Sequence, residues 1–279
     1  MKKASSWRAF FRCSVLTALL PVSFALSACS SVSTQQEVEM GAQYATEINR
    51  QLPIVSDATV HRAINLIGDD IARYGSRGIN YTFYVVDANQ VNAFAVPGGY
   101  VYVNRGLVER TRNFSELAGV LAHEIGHVEA RHGVEQMEKM QNANLGLTLA
   151  YVLLGRQPSG VERAAIDVGG GLYFAKHSRE AENEADRVAI PLMVAARIHP
   201  NGLVTMFEEL LRAQQSNSSQ VGQWFSTHPT TQERINATRA EIAKLPASRL
   251  SGMRTTSSDY NSMKNRLRQL PPARDVASR

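Results

Sequence analysis

The chain has 279 residues, a formal charge of +5, 44% hydrophobic residues and two cysteines. That length holds one sizeable domain or two small ones. Lys2, Lys3, Arg8 and Arg12 supply four of the positive charges, so the basicity sits in an N-terminal head and does not imply a nucleic-acid partner. Both cysteines, Cys13 and Cys29, lie in the same leading stretch, which excludes a disulfide scaffold for the rest.

The basic head is followed by an apolar run, residues 15–26, that ends in Leu26-Ser27-Ala28-Cys29. The run is too short for a bilayer span of about 20 residues and has the layout of a signal peptide. Leu-Ser-Ala-Cys has the form of a bacterial lipobox. The expectation is a signal over 1–28, lipid on Cys29, and, from Ser30, export to the outer membrane with the domain facing the periplasm. Residues 29–36 then read as a polar tether, and 37–245 as the folded domain.

Residues 37–50 have helical periodicity, with Val38, Tyr44 and Ile48 as inward positions. Asp57 is a candidate N-cap for a second helix to about residue 74, carrying Val60, Ile64, Ile67 and Ile71 at spacings of three and four. The period switches to two over residues 81–86, 91–96 and 100–103, which predicts three strands broken by a turn at 87–90 and a bend at Pro97-Gly98-Gly99. Pro97 cannot donate to a ladder, which places this region near a sheet edge. Such an edge either takes an extended peptide as an added strand or serves only as core support. Residues 106–110 read as a short helix.

Ser115 is a candidate cap for a helix carrying Leu117, Val120, Leu121, Ile125 and Val128 on its apolar face, ending near Gly133. Residues 134–154 predict a further helix whose apolar part, 145–154, is either packing or a lip on a cleft. Gly169-Gly170-Gly171 marks a hinge or a close approach. A helix over 179–197 contains Pro191, which should kink or divide it. Amphipathic residues 203–211 follow, then a polar loop over 212–222. A last helix covers 230–244, with Thr230 and Glu233 as a capping box. Beyond Pro246 apolar anchors are sparse, so 246–279 reads as a flexible tail.

Within Ala122-His-Glu-Ile-Gly-His-Val-Glu-Ala-Arg-His132, His123, Glu124 and His127 form H-E-x-x-H. On a helix, positions i and i+4 share a face, so both imidazoles can reach one metal ion while Glu124 handles the proton of a water. A third ligand is required. The metzincin pattern needs glycine at 130 and histidine at 133, where this chain has Ala130 and Gly133, and His132 falls out of phase. A carboxylate on a later helix is the remaining source. Glu182 and Asp186 lie four apart on one face, so one can bind metal while the other supports a ligand imidazole. Without a metal, the same run is an acidic solvent face paired with Arg179 and Arg187.

His-Glu-Ile-Gly-His, the later Ser-Arg-Glu-Ala-Glu-Asn-Glu-Ala-Asp and then Ser-Thr-His-Pro-Thr-Thr-Gln-Glu-Arg-Ile occur in the order that resembles the M48 family of zinc metallopeptidases, in its periplasmic, signal-bearing lipoprotein branch. The resemblance implies one Zn²⁺ per chain on His123, His127 and Glu182, with Glu124 catalytic. It implies that Asp186 orients a zinc-bound histidine, that Arg234 braces the site, and that Glu180 and Glu184 are dispensable to the metal. It implies that His228 approaches the site, either to stabilise the tetrahedral intermediate or to fill the open metal position at rest. Asn92, Ala93, Phe94 and Ala95 would line the substrate cleft. The implied fold is α+β, a mostly helical zincin-like domain with a small antiparallel sheet beside the H-E-x-x-H helix. The implied activity is endoproteolysis of unfolded or misassembled envelope proteins at a membrane surface. The rival is a chaperone-like, client-binding lipoprotein with a gated or weakly active site.

Overall fold

The computed structural model describes residues 32–139, 177–216 and 218–273. The signal, Cys29, the apolar part (145–154) of the helix predicted over 134–154 and the glycine run at 169–171 lie outside the described residues.

The first helix, α1 (Thr34–Gln51), opens on a capping box between Ser33 and Gln36. Its buried side is Glu37, Gly41, Ala45 and Ile48, whereas Val38 is exposed. The inward turn at this end belongs to an ion pair: Glu37 accepts from both Arg77 Nη groups, at 2.9 and 2.6 Å. Helix α2 (Ala58–Ala72) is capped by Asp57, whose Oδ1 accepts from Thr59 and Val60, and it buries Val60, Ile64, Ile67 and Ile71 as the period requires.

Three strands follow: β1 (Thr82–Val86), β2 (Ala93–Val96) and β3 (Tyr100–Asn104). The sheet order is β1-β3-β2, with β2 and β3 antiparallel and β1 and β3 parallel, so the small sheet is mixed where an all-antiparallel one is expected from sequence. The cause is that residues 87–92 carry the chain past the β3 position, so that β2 returns as the outer arm of a hairpin. Asp87 and Ala88 are tied to Pro53 and Val86, and Val91 to Gln220. The far side of β1 is occupied by Ile54 and Val55. That leaves β2 as the sheet edge.

Helix α3 (Arg105–Arg110) leads to α4 (Phe114–Glu129), in which every residue from Phe114 to Val128 is buried. A helix enclosed on all sides is a core helix. α4 packs against α2, β2, α5 (Arg179–Ala195) and α6 (Asn201–Gln215). Its cap is Asn113, which accepts from Glu116 N–H and also takes the Ser115 hydroxyl, so Ser115 is the second residue of the helix rather than its cap. α5 runs unbroken through Pro191. α6 extends four residues past the predicted end, into what sequence reads as loop. A short helix α7 (Gly222–Thr227) precedes α8 (Gln232–Ala243), whose cap is Thr231 rather than Thr230. Thr230 Oγ1 instead accepts from the indole of Trp224, at 3.1 Å.

The expected flexible tail is corrected by the structure. A short turn, α9 (Ala247–Leu250), leads to α10 (Ser258–Gln269), which packs on α2 and buries Tyr260, Met263 and Leu267. Arg105 locks its end by donating to Leu267 O at 2.7 Å and Pro271 O at 2.6 Å. The Tyr260 hydroxyl donates to Thr111 O at 3.0 Å. A few well-spaced apolar residues suffice where the remaining polar groups find backbone partners.

Candidate metal centre

Two helices build the site by crossing closely. A Cβ on Gly126, between the two motif histidines, would lie 2.6 Å from Ala185 O. Only glycine there lets α4 and α5 approach until Glu182 reaches the imidazole pair. His123 Nε2 and His127 Nε2 are 3.0 Å apart, and Glu182 oxygens lie 3.5 Å from the first and 3.3 Å from the second. His228, at the end of α7, places Nδ1 3.1 Å from Glu182 Oε1. One donor atom from each of these four buried residues lies within 4.8 Å of the others.

The donors suit zinc. Bond lengths of 2.0–2.1 Å around a tetrahedral ion separate its donors by roughly 3.3 Å, and the observed spacings bracket that value. The charges also call for a cation. Burial would raise the Glu182 carboxyl, yet the charges of His228 and Arg234 and the hydrogen bonds to the two imidazoles hold it well below the usual carboxylate range. Burial and Arg234 oppose a proton on His123, but hydrogen bonds to Asp186 and Glu182 outweigh them and bring it up to about 9. The same two carboxylates that favour positive charge on His123 suit a cation at this point. We assign one Zn²⁺ to this cluster, the single one of its kind among the described residues.

Glu124 shares this pocket as the proton carrier. Burial pushes its carboxyl up, and Oε1 has no hydrogen-bond partner among the described residues. An orphaned buried carboxylate oxygen costs stability and signals a ligand or water. His228 Nε2 lies 3.6 Å from Glu124 Oε1. His228 Nε2 also meets Ala93 O on the β2 edge, at 3.3 Å. Its ring packs 4.6 Å from that of Trp224, centroid to centroid.

Asp186 and Arg234 tie the ligands to the core. Asp186 Oδ1 meets His123 Nδ1 at 2.8 Å, fixing the tautomer that leaves Nε2 for metal. Arg234, from α8, donates to Asp186 through Nε at 2.6 Å and Nη2 at 2.8 Å, and through Nη1 to Glu182. Its guanidinium lies 4.3 Å from the Phe207 ring centre. Arg234→Met should cost about 3–5 kcal/mol, because it leaves two buried carboxylates without their cation. Urea unfolding checks this, and saturating zinc should recover part of the loss by neutralising Glu182.

The structure thus brings together His123, Glu124, His127, Glu182, Asp186, His228 and Arg234. Asn92, Ala93 and Phe94 are buried on or beside β2, and Ala95 is half-buried. Two residues escaped the sequence reading. His177 stacks on His127 with ring centroids 4.0 Å apart. His132, set aside as out of phase, is buried with Nδ1 2.9 Å from His127 Nδ1.

Residues 56–242 match the model of peptidase family M48. The beta-barrel assembly-enhancing protease of Escherichia coli O157:H7 is 31% identical over 75% of this chain and 44% of its own length. Metalloprotease YcaL of Escherichia coli K12 is 33% identical over 59% of this chain and 63% of its own length. Mitochondrial metalloendopeptidase OMA1 of Schizosaccharomyces pombe is 30% identical over 67% of this chain and 54% of its own length. The chain spans under half the length of the beta-barrel assembly-enhancing protease.

Proposed function

The chain belongs to peptidase family M48 and has that family's zinc metalloendopeptidase site, and from that premise we propose a membrane-tethered, zinc-dependent endopeptidase that cleaves unfolded or misassembled envelope proteins. The observation that carries the reading is the meeting of three ligands with a buried carboxylate, Glu124, that has no hydrogen-bond partner on Oε1 among the described residues. His123, His127 and Glu182 would hold the zinc, which would supply Lewis acidity toward a peptide carbonyl and an attacking water. Glu124 takes the proton from that water and returns it to the leaving amine, a task suited to a carboxyl raised by burial. Asp186 and Arg234 keep His123 and Glu182 in register throughout.

His228 makes the enzyme gated. As a fourth donor it would fill the position that catalytic zinc sites keep for water and substrate. The same ring engages Ala93 O on the sheet edge, where an extended peptide would add as a strand. One movement of His228 would therefore free both the position for water beside the donor cluster and the strand's acceptor, Ala93 O. The Asn92 carboxamide, buried without a hydrogen-bond partner among the described residues, supports this edge as the peptide-binding side. With His228 retained in place, the same cleft holds clients without cutting them, which is the chaperone-like alternative.

The lipobox at Cys29 supports an outer-membrane anchor with the domain in the periplasm. Among the described residues no helix is long and apolar enough to cross a membrane. Relatives named for beta-barrel assembly support clients of that kind, since bacterial β-barrels reside in outer membranes. The discriminating experiment is digestion of casein, an unfolded protein, by the purified chain. Cleavage should stop on adding a chelator and return on adding zinc. Casein that is bound but left intact at saturating zinc would favour the chaperone-like reading.

A further inference from the structure

On a regular helix, residues five apart point roughly 140° away from each other, so His127 and His132 cannot meet by helical geometry alone. They meet because the helix stops between them. Ala130 N–H closes the last turn on Gly126 O, and Arg131 adopts φ 61°, in the left-handed region. A residue with a Cβ takes that conformation only at a cost, and here its side chain is held, Nη1 lying 3.3 Å from the buried Glu37 and Nη2 donating to Val32 O. The reversal returns His132 to the metal helix. Its ring is 4% exposed, with Nδ1 2.9 Å from His127 Nδ1 and Nε2 3.5 Å from Glu184 Oε2.

We propose that His132 is the positioning residue for the ligand His127, as Asp186 is for His123. His127 turns Nε2 toward the donor cluster, so Nδ1 keeps the ring's proton and needs an acceptor. The Nδ1 of His132 supplies it. His132 then carries its own proton on Nε2, facing Glu184, whose side chain reaches solvent. The two ligands are thus fixed by different chemistry, one by a carboxylate and the other by an imidazole. The inference rests on zinc occupying the site proposed above.

The test measures zinc affinity by competition with a chromophoric chelator, together with the melting temperature of the zinc-free protein. His132→Leu fills the space without an acceptor. His132→Asn places Oδ1 where Nδ1 stood. His132→Leu should bind zinc about 10–100-fold more weakly, the usual effect of losing a partner behind a ligand, and His132→Asn should recover most of that. The zinc-free melting temperatures of the two variants should match. Equal zinc affinities for the Leu and Asn variants, whether near wild type or both weakened, would overturn the proposal and leave His132 a packing residue. A wild-type chain that binds no zinc would instead remove the metal site itself, so the two failures are distinguishable.

Discussion

Glu124→Gln should keep wild-type zinc content and thermal stability while losing about 10²–10⁴-fold in the rate of peptide cleavage. The substitution is nearly isosteric, and Glu124 is not among the four donors that converge on the ion position. Oε1 has no hydrogen bond to lose among the described residues, so the fold should not suffer. The amide can neither accept the water's proton nor deliver one to the leaving amine. Burial raises the carboxyl and thereby strengthens it as a base, and Gln removes that function without altering shape. Cleavage and zinc content measured on one preparation check both halves of this expectation.

Glu182→Ala should have the opposite signature, with the fold retained and the metal lost. Among the described residues one carboxylate, Glu182, completes the ligand set, with its 3.3 and 3.5 Å approaches to the two imidazoles. Removing a ligand should cost more than the 10–100-fold typical of an outer partner such as that proposed for His132. The domain should survive because Arg234 keeps both of its bonds to Asp186, and Asp186 keeps His123. The variant also relieves the burial of one carboxylate, which offsets the lost ion pair. Activity should fall below detection together with zinc.

The metal set was legible in sequence because it is written in helical phase. His123 and His127, and again Glu182 and Asp186, are four apart, a spacing that survives any uncertainty about helix ends. That the two pairs meet was not legible from spacing; it depends on Gly126 lying against Ala185, and resemblance to a family supplied it beforehand. His132 was lost for the converse reason. Phase arguments assume the helix continues, and Arg131 breaks it in a conformation that glycine would ordinarily announce. His177 had no periodic neighbour to mark it.

The sheet and the C-terminus follow the same division. Alternation located all three strands, but pairing between β1 and β3, which are not consecutive, is a tertiary choice. The expected tail failed on density of apolar residues, although Tyr260, Met263 and Leu267 are spaced three and four apart, the signal that identified α2. Weighing that spacing above composition would have found α10. Cap positions slipped by one or two residues where Asn113 and Thr231 outcompeted neighbouring serine and threonine.

The most direct test of the shared metal site is elemental zinc analysis of the wild-type and Glu182→Ala chains, purified side by side and equilibrated with the same buffered zinc. One zinc per wild-type chain is expected and almost none in the variant, with both showing the same far-ultraviolet circular dichroism. Equal zinc in the two folded proteins would contradict the shared site, because the ion would then be held without the carboxylate that joins α5 to α4.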